Sequence, residues 1–388
     1  MTNRLPAIVI GGPPHAGKSV LFHSLTCALH EQGLRHHAIR ACPDGEGNWS
    51  QESDQETVEG LRSSLKVWPD SFVQRICQDI EHRCLPFLVD MGGHPRPSQY
   101  GILRLCTHVI LLLRADCPAD TQRWQQLVEE NGLTPLAQIT SQLDGTSIIT
   151  SRSPAIEGVI TDLVRDNKAA ARGPVFDALV ERIATLFKSY SPQDLERVFF
   201  EQAPTELLDL FAIVPSDSRW TPEMLPEFLE SLPENTALSV YGKAPNWVYA
   251  AVAAYTDPLP LYQFDPRLPF GWIQPFAVRF GTERDVDIVT NPRPFINEAI
   301  TTLSIAIGPK HLDYFWPEPL SFPPIRAEHG LIIDGIIPFW LLTALVRLYK
   351  RAGVAWIAPY YPQLNGAVVA YSRVSTHRPG DLIALPTT

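Results

Sequence analysis

The sequence is poor in cysteine, and the few cysteines that it has are confined to its first part. All six lie before residue 118, and no two of them are spaced as a C-x-x-C pair. Zinc ribbons need such pairs, so that class of metal site is excluded. The pattern is typical of reduced thiols in a cytosolic protein rather than of a disulfide-bonded secreted domain.

Long hydrophobic runs are absent as well. The longest apolar stretch, residues 331–346, is interrupted by Asp334, Gly335 and Pro338, and a run of only four apolar residues follows Pro6. A membrane-spanning helix needs about 20 apolar residues, so we expect none, and we expect no signal peptide. A cytoplasmic location follows as an expectation.

An excess of positive charge is also missing. The 388 residues carry a formal net charge of −10, with 45% hydrophobic and 19% charged residues. This composition is that of an ordinary globular protein, long enough for more than one domain. The negative balance argues against broad DNA binding, although it is compatible with a local basic pocket for one short anionic ligand.

Proline is concentrated in the second half of the chain, whereas all of the cysteines lie in the first half. This change of composition, together with a helical apolar pattern over residues 176–187, predicts a domain boundary near Ser191. We expect domains at residues 1–191, 197–305 and 306–388.

The first domain alternates apolar runs with amphipathic segments. The predicted strands are 7–10, 37–40, 87–89, 109–113 and 147–149, and the predicted helices are 20–29, 71–82 and 121–131. Strands that alternate with helices favour a parallel sheet that is covered on both faces.

A phosphate-binding motif lies between the first strand and the first helix. It begins at Gly12 and reads G-x-x-x-x-G-K-S up to Ser19. Its glycines let backbone N–H groups wrap around phosphate oxygens at the amino end of a helix. Lys18 then reaches the β- and γ-phosphates, and the Ser19 hydroxyl binds Mg²⁺. With Gly12, Gly17, Lys18 and Ser19 as nucleotide-binding residues, the motif resembles the Walker A motif of P-loop NTPases.

A second polar sequence follows the strand at 87–89. Asp90 stands where P-loop proteins place the acid that orients Mg²⁺. It begins a D-x-x-G pattern, whose Gly93 can approach a γ-phosphate through its backbone. His94 comes next, either to orient a water molecule or as an ordinary loop histidine. The catalytic candidates of this domain are therefore Lys18, Asp90 and His94, with Ser19 and Asp90 as Mg²⁺ ligands.

Other features leave the type of reaction open. Asp44 and Glu46 stand where small-molecule P-loop kinases place a base or a substrate-binding acid, but such residues also form simple turns. Arg165, Lys168 and Arg172 have the spacing of a basic lid over phosphates or of a solvated helix face. No N-K-x-D sequence for guanine is present, which favours ATP over GTP.

The second half of the chain contains an internal repeat. Residues 237–247, A-L-S-V-Y-G-K-A-P-N-W, align with residues 330–340, G-L-I-I-D-G-I-I-P-F-W, so that Gly, Pro and Trp recur at an offset of 93 residues. Apolar positions with helical spacing follow both tryptophans. Each copy continues into a strand, a loop and a further strand after Gly271 or Gly366. Two copies in one chain build a pseudo-twofold site that suits a symmetric ligand.

This order of motifs, G-x-x-P-x-W, a helix, a strand, D-P-R-L at 265–268 and a glycine before a valine-rich strand, resembles a small CRISPR-associated family. Its members are the manganese-dependent ring nucleases of type III systems, which linearise cyclic tetra-adenylate. The resemblance covers roughly residues 200–388, as two copies. It implies a cytoplasmic prokaryotic protein that assembles as an oligomer around the cyclic nucleotide. Some members are fused to a P-loop ATPase domain.

The chain departs from that family at the metal site. The family's histidine nine residues before the Asp of D-P-R-L is Thr256 in the first copy and Ala352 in the second. Tyr361 and Gln363 replace the Asp and the Arg in the second copy, and Arg373 stands in the place of a strand-ending histidine. Metal-assisted cleavage needs several convergent ligands, so binding of the ring is favoured over its cleavage.

The remaining candidates of this half each have an ordinary alternative. Asp265 is the candidate Mn²⁺ ligand and catalytic residue and Arg267 a phosphate ligand, unless both belong to a simple Asp-Pro turn. Trp247 and Trp340 either stack on adenine or anchor the core, and Arg373 is a further candidate phosphate ligand. A second candidate metal site consists of the histidines after residue 108, namely His311, His329 and His377.

Together these patterns predict an α/β protein, in which an N-terminal P-loop NTPase domain with a parallel sheet precedes two tandem small α/β domains similar to ring nucleases. We expect a homo-oligomer that hydrolyses ATP with Mg²⁺ and binds cyclic oligoadenylate. We also expect the bound ring to change the rate of ATP hydrolysis, so that the two activities are coupled. Three alternatives stay open: a working Mn²⁺-dependent ring nuclease, a small-molecule or nucleotide kinase whose second half serves assembly, and a nucleotide-gated scaffold with negligible turnover.

Overall fold

A computed structural model describes residues 4–41, 70–164, 173–281, 288–294, 300–307, 314 and 319–384. The chain divides into two compact units. Unit 1 consists of Met1–Glu201 and Pro266–Gly271, and unit 2 consists of Gln202–Asp265 and Trp272–Thr388. Six residues weighed above lie outside the described residues, namely Asp44, Glu46, Arg165, Lys168, Arg172 and His311.

Unit 1 alternates strands and helices along the chain. Its strands are β1 Ala7–Gly11, β2 His37–Ala41, β3 Phe87–Met91, β4 His108–Leu113, β5 Thr134–Gln142, β6 Ile148–Ser151 and β7 Ile156–Thr161. Its helices are α1 Lys18–Glu31, α2 Asp70–Glu81, α3 Tyr100–Leu105, α4 Pro118–Glu130, α5 Pro174–Lys188 and α6 Pro192–Glu201.

The strands of unit 1 form one sheet in the order β2-β3-β1-β4-β5-β7-β6. All neighbours are parallel except the edge strand β6, which runs antiparallel to β7. Alternate residues of β1 enter two different cores, with Ile8 and Ile10 packed among residues of α1 and α5, and Val9 among residues of α2 and α4. The predicted α/β class, with a parallel sheet covered on both faces, is therefore confirmed.

Unit 2 contains more strands than helices. Its strands are β8 Glu206–Asp209, β9 Leu238–Tyr241, β10 Leu261–Phe264, β11 Trp272–Ile273, β12 Val278–Phe280, β13 Ile288–Pro294, β14 Ile300–Ile307, β15 Leu320–Phe322, β16 Gly330–Asp334, β17 Trp356–Tyr361, β18 Gly366–Val368, β19 Tyr371–Ser372 and β20 Leu382–Ala384. Its helices are α7 Leu210–Ile213, α8 Leu225–Ser231, α9 Asn246–Thr256 and α10 Phe339–Arg351.

Two sheets of unit 2 share one local arrangement. The first sheet has the order β11-β10-β9-β8, and the second contains β13-β14-β16-β17-β18-β20. In each sheet a parallel strand, a glycine turn and a helix lead to the next parallel strand: β9, α9 and β10 in one, and β16, α10 and β17 in the other. The turn glycines, Gly242 with φ 119° and Gly335 with φ 139°, both adopt the left-handed conformation that favours glycine.

Helices α9 and α10 pack against each other within unit 2 through the basic last turns of α10. Arg347 donates a hydrogen bond from Nε to the Ala253 carbonyl at 3.2 Å and from Nη2 to Thr256 Oγ1 at 2.8 Å. Arg351 donates to Asp257 Oδ1 from Nε at 2.9 Å. Arg347 thus satisfies one of the carbonyls that are left open where α9 ends, and Lys350 donates to a second one, that of Ala254.

None of the described helices combines the length and the apolar character that a membrane crossing requires.

Candidate functional site

The backbone of the loop between β1 and α1 requires glycine at two positions of the motif. Gly12 has φ 141° and Gly17 has φ 83°, so both adopt backbone conformations that side chains disfavour. A Cβ at Gly12 would also overlap the carbonyl oxygen of Leu112 on β4, and a Cβ at Gly17 would lie 2.7 Å from Leu163 Cβ. The close packing of the loop against β4 and against Leu163 therefore depends on glycine at these two positions.

The amino end of α1 supplies the backbone donors of this loop. Gly17 is the N-cap of α1, and its carbonyl accepts the first helical hydrogen bond from Leu21 at 3.0 Å. Pro13 and Pro14 have no N–H, so the donors available to a phosphate come from His15 onward. His15 is exposed at the tip of the loop with φ 60°. This geometry fits an anion at the start of a helix.

Lys18, Ser19 and Asp90 lie together at the carboxyl ends of β1 and β3. The Lys18 ammonium is buried and donates to the Pro13 carbonyl at 2.7 Å. The Ser19 hydroxyl donates to Asp90 Oδ2 at 2.8 Å, although the two residues are 71 positions apart in the sequence. The structure therefore brings together the lysine, the hydroxyl and the carboxylate that the sequence motifs single out.

Arg40 on β2 joins this cluster, and no sequence motif pointed to it. Its Nε lies 3.2 Å from Asp90 Oδ2, and its Nη2 lies 3.2 Å from Ser19 Oγ. Arg40 and Asp90 are direct register partners on the neighbouring parallel strands β2 and β3. Both side chains are buried, at 6% and 2% exposure. The charge of Asp90 is thus balanced inside the protein.

The environment of Asp90 fits a divalent cation that arrives with a nucleotide. Burial raises the pKa of its carboxyl above the ordinary value, while Arg40, Ser19 and Lys18 act in the opposite direction. Carboxylate and hydroxyl oxygens are the ligands that Mg²⁺ prefers, usually together with substrate phosphates. Ser19 and Asp90 would therefore hold Mg²⁺, which would supply charge neutralisation at the phosphates.

The loop after β3 rests directly on the phosphate-binding loop. A Cβ at Gly93 would overlap the backbone nitrogen and ring of Pro14. The Gly93 carbonyl accepts a hydrogen bond from Trp124 Nε1 of α4 at 3.1 Å. Arg114, directly after β4, donates from Nη1 to the Pro14 carbonyl at 3.4 Å and is a second cation that the motifs did not reveal. His94 is 53% exposed, with its Nδ1 3.7 Å from Asp120 Oδ1.

The candidates in the second half of the sequence do not come together as one site. Asp265 is buried in unit 2, whereas Arg267 is exposed on a segment that belongs to unit 1. Trp247 of α9 is fully buried, and Trp340 of α10 is 3% exposed, so neither ring offers a free face for stacking on adenine. Arg373 donates hydrogen bonds to three backbone carbonyls and so connects two backbone segments. The acceptors are Gly353 at 2.8 Å, Val354 at 3.3 Å and Ala327 at 3.1 Å.

The described residues of unit 2 do not fit a manganese centre. Over the part of the chain that the structure describes, no three or more His, Cys, Asp or Glu side chains gather as metal ligands. His329 contacts Thr301 Oγ1 at 2.9 Å, and His377 packs on the Trp356 ring at a centroid distance of 4.9 Å. Among the described residues no set of metal ligands forms around Asp265, and we derive no metal chemistry from it.

Unit 2 contains a large open cavity at the carboxyl ends of its parallel strands. The cavity measures about 1400 Å³. Its walls are the turns after β9 and β16, the loop after β17 and residues 216–223. The polar side chains of the lining include Arg219, Lys243 and Asn246. Ligands of α/β sheets bind at this edge.

Two lining residues of this cavity have unsatisfied polar atoms. Within the described part of the chain, Trp220 Nε1 and Asn246 Oδ1 are buried without a hydrogen-bond partner. The amide nitrogen of Asn246 donates to the Tyr360 carbonyl at 2.9 Å, which fixes the orientation of the side chain. Neither atom has accessible surface, so a ligand would contact them only if the lining moved.

Several solved structures resemble this chain with low identity and low similarity scores. The septum site-determining protein MinD of Pyrococcus horikoshii, in complex with Mg-ADP, has 14% identity and a TM-score of 0.32, over 46% of this chain and 96% of its own. A plasmid partition protein of Borrelia burgdorferi bound to AMPPNP has 11% identity and a TM-score of 0.32, over 48% and 99%. The signal recognition particle receptor FtsY of Elizabethkingia anophelis has 13% identity and a TM-score of 0.29, over 47% and 66%. The P-loop fold of unit 1 therefore rests on its own strand order and loop geometry.

Sequence comparisons bear on one segment of unit 2. No curated protein matches the chain. Residues 302–384, which contain β16, α10 and β17, match the family described as CRISPR-associated protein (Cas_csx3). The chain thus combines a P-loop unit with a carboxyl-terminal segment similar to a CRISPR-associated family.

Proposed function

We propose that this protein binds and hydrolyses ATP in unit 1 and binds a cyclic oligoadenylate in unit 2, with each ligand changing the response to the other. The observation that carries the proposal is the P-loop cluster, in which Lys18, Ser19 and Asp90 meet at the carboxyl edge of a parallel sheet. Such a cluster suits phosphoryl chemistry, where catalysis consists of positioning and of neutralising charge.

Different residues of unit 1 bind the phosphates and the Mg²⁺. The N–H groups at the start of α1 hold the phosphates, and Lys18 leaves the Pro13 carbonyl to contact them. Ser19 and Asp90 hold Mg²⁺, and Gly93 presents its backbone to the terminal phosphate from the adjoining loop. Arg114 lies beside the same loop and pairs with Asp116, so its guanidinium has to leave that carboxylate to neutralise a phosphate oxygen.

The second part of the proposal concerns the cavity of unit 2. Its size and its two cations, Arg219 and Lys243, which outnumber the one acidic lining residue, Glu223, suit an anionic nucleotide ligand. The match of residues 302–384 to a CRISPR-associated family supports a nucleotide second messenger as that ligand. Because the described residues offer no manganese site, we propose binding without cleavage. A cyclic oligoadenylate is a symmetric ligand, and we therefore also propose that the protein assembles around it as a homo-oligomer.

The test measures ATP hydrolysis and ring binding on the full chain. We expect hydrolysis that Lys18→Ala abolishes, and a rate that changes at least severalfold with saturating cyclic tetra-adenylate. Labelled cyclic tetra-adenylate should lose affinity in Lys243→Ala and in Arg219→Ala, but not in Arg326→Ala, an exposed arginine outside the cavity. Equal hydrolysis rates with and without the ring, or equal affinities in all variants, would contradict the proposal. Linear products formed with Mn²⁺ would instead establish a ring nuclease.

A further inference from the structure

Arg40 differs from the other deeply buried arginine of unit 1 in the partners that it contacts. Arg83, at 2% exposure, donates to the backbone carbonyls of Leu5 and Ile80, as expected of an arginine that supports packing. Arg40 instead directs its guanidinium to Ser19 Oγ and Asp90 Oδ2. These are the two oxygen atoms that suit Mg²⁺ in the nucleotide site.

The hydrogen bonds of Ser19 show what this contact excludes. A serine hydroxyl has one proton to donate and accepts through its lone pairs. Ser19 gives its proton to Asp90 and accepts a hydrogen bond from Arg40. The oxygen therefore already has a positively charged partner. Two cations on the same hydroxyl would repel each other, because Ser19 is half-buried beside the buried Arg40 and Asp90 and water screens their charges less than it does at the surface.

We propose that Arg40 is a gate of the nucleotide site, because its guanidinium and the Mg²⁺ of an incoming nucleotide exclude each other at Ser19. The inference rests on the proposed function, since it concerns the same P-loop. Arg40 keeps Ser19 and Asp90 aligned while it neutralises the buried carboxylate. It has to leave Ser19 when nucleotide binds with Mg²⁺. The free energy of breaking these contacts raises the Mg²⁺ concentration that nucleotide binding requires.

The experiment titrates Mg²⁺ at a fixed concentration of labelled ADP and measures binding, so that no turnover is needed. We expect Arg40→Gln to lower the half-saturating Mg²⁺ concentration by about tenfold, because the competing positive charge is removed. The matched control is Arg35→Gln, which makes the same charge change at an exposed position before β2. It should behave as the wild type.

The outcomes separate the gate from the proposed function. An unchanged or higher Mg²⁺ requirement in Arg40→Gln would overturn the gate and leave the nucleotide site standing. If wild-type protein binds no ADP at any Mg²⁺ concentration, both ideas fail. Because Arg40→Gln removes the charge partner of a buried carboxylate, a second measurement uses the wild type. A crystal structure with Mg²⁺ and ADP should show Arg40 away from Ser19 Oγ, and a retained hydrogen bond would overturn the gate.

Discussion

Single residues in the nucleotide site leave no space for larger side chains. Gly93 packs so closely that a Cβ would overlap the nitrogen and ring of Pro14, which belongs to the phosphate-binding loop. The overlap involves backbone rather than the end of a flexible side chain. Any substitution at Gly93 therefore has to displace one of the two loops that surround the phosphates.

Gly93→Ala should weaken ADP binding by about tenfold or more, because a displacement of about 1 Å within a site can cost up to a hundredfold in function. Titration calorimetry with ADP and Mg²⁺ measures the affinity directly. Gly101→Ala in α3 is the control, since its Cβ would meet only the Sγ of Cys77, at 3.3 Å. Equal affinities of the two variants would show that the loops tolerate the displacement.

Among single residues of the site, the sequence predicted those that belong to motifs. Lys18 and Ser19 stand at the spacing that a phosphate-binding loop imposes, and Asp90 directly follows an apolar strand, so their meeting at one edge of the sheet was foreseeable. Arg40 was not, because an arginine on a strand is usually exposed and only the pairing of β2 with β3 brings it to Asp90. For Trp247 and Trp340 the sequence left two roles open, because a tryptophan at an apolar helix position can lie in a core or in a binding site.

Among the secondary-structure elements, the helix pair α9 and α10 carries a separate prediction. Arg347 and Arg351 lie one turn apart on α10 and both contact the end of α9, but their environments differ. Burial lowers the pKa of Arg347 to about 10, and its partners are the Ala253 carbonyl and Thr256. Arg351 is 58% exposed and pairs with Asp257.

Arg347→Met should therefore destabilise unit 2 by about 1–3 kcal/mol, because it leaves buried acceptors without donors. Arg351→Met should cost less, about 1 kcal/mol, because the arginine itself is exposed and Lys350 Nζ, 3.8 Å from Asp257 Oδ2, still faces the buried carboxylate. Chemical denaturation followed by hydrogen exchange of amides in α9 and α10 measures both changes. The reverse order of the two effects would mean that the Arg351–Asp257 ion pair, rather than the contacts of Arg347, holds the helices together.

The elements that the sequence did not predict are those with mixed polarity. β5 reads T-P-L-A-Q-I-T-S-Q and mixes buried with exposed positions without a regular alternation, yet it lies inside the sheet of unit 1. Its pattern lacks the continuous apolar run of β1 or β4. The run at 147–149 was predicted as a strand, and it belongs to β6, the antiparallel edge strand. Neighbours along the chain indicate that a strand exists, whereas its direction depends on pairing with distant residues.

For the whole molecule, two buried histidines make the stability of unit 1 depend on pH. Burial lowers the pKa of His36 and of His37 from 6.5 to about 4. Between these values the unfolded chain binds protons that the folded unit does not. Stability therefore falls as the pH decreases from about 6.5 to about 4, and these groups have no effect above that range.

We expect a loss on the order of 4 kcal/mol, about 2 kcal/mol for each histidine, on going from about pH 7 to about pH 5, measured by hydrogen exchange of the β1 and β3 amides under urea. The double variant His36→Gln/His37→Gln should show a smaller loss over the same interval. His82→Gln serves as the comparison, because His82 is exposed. If the double variant keeps the full loss, carboxylates rather than these histidines are responsible.

The hydrogen bond from Trp124 to the Gly93 carbonyl has an optical consequence. The indole lies against Gly11 at the end of β1, and its N–H is bonded to the loop that rests on Pro14. Indole emission depends on the polarity and hydrogen bonding around the ring, so movement of that loop alters the fluorescence of Trp124. The difference between the spectra of the wild type and of Trp124→Phe isolates this signal from the other eight of the nine tryptophans. The chain thus contains its own dye-free reporter of what happens at the phosphate-binding loop.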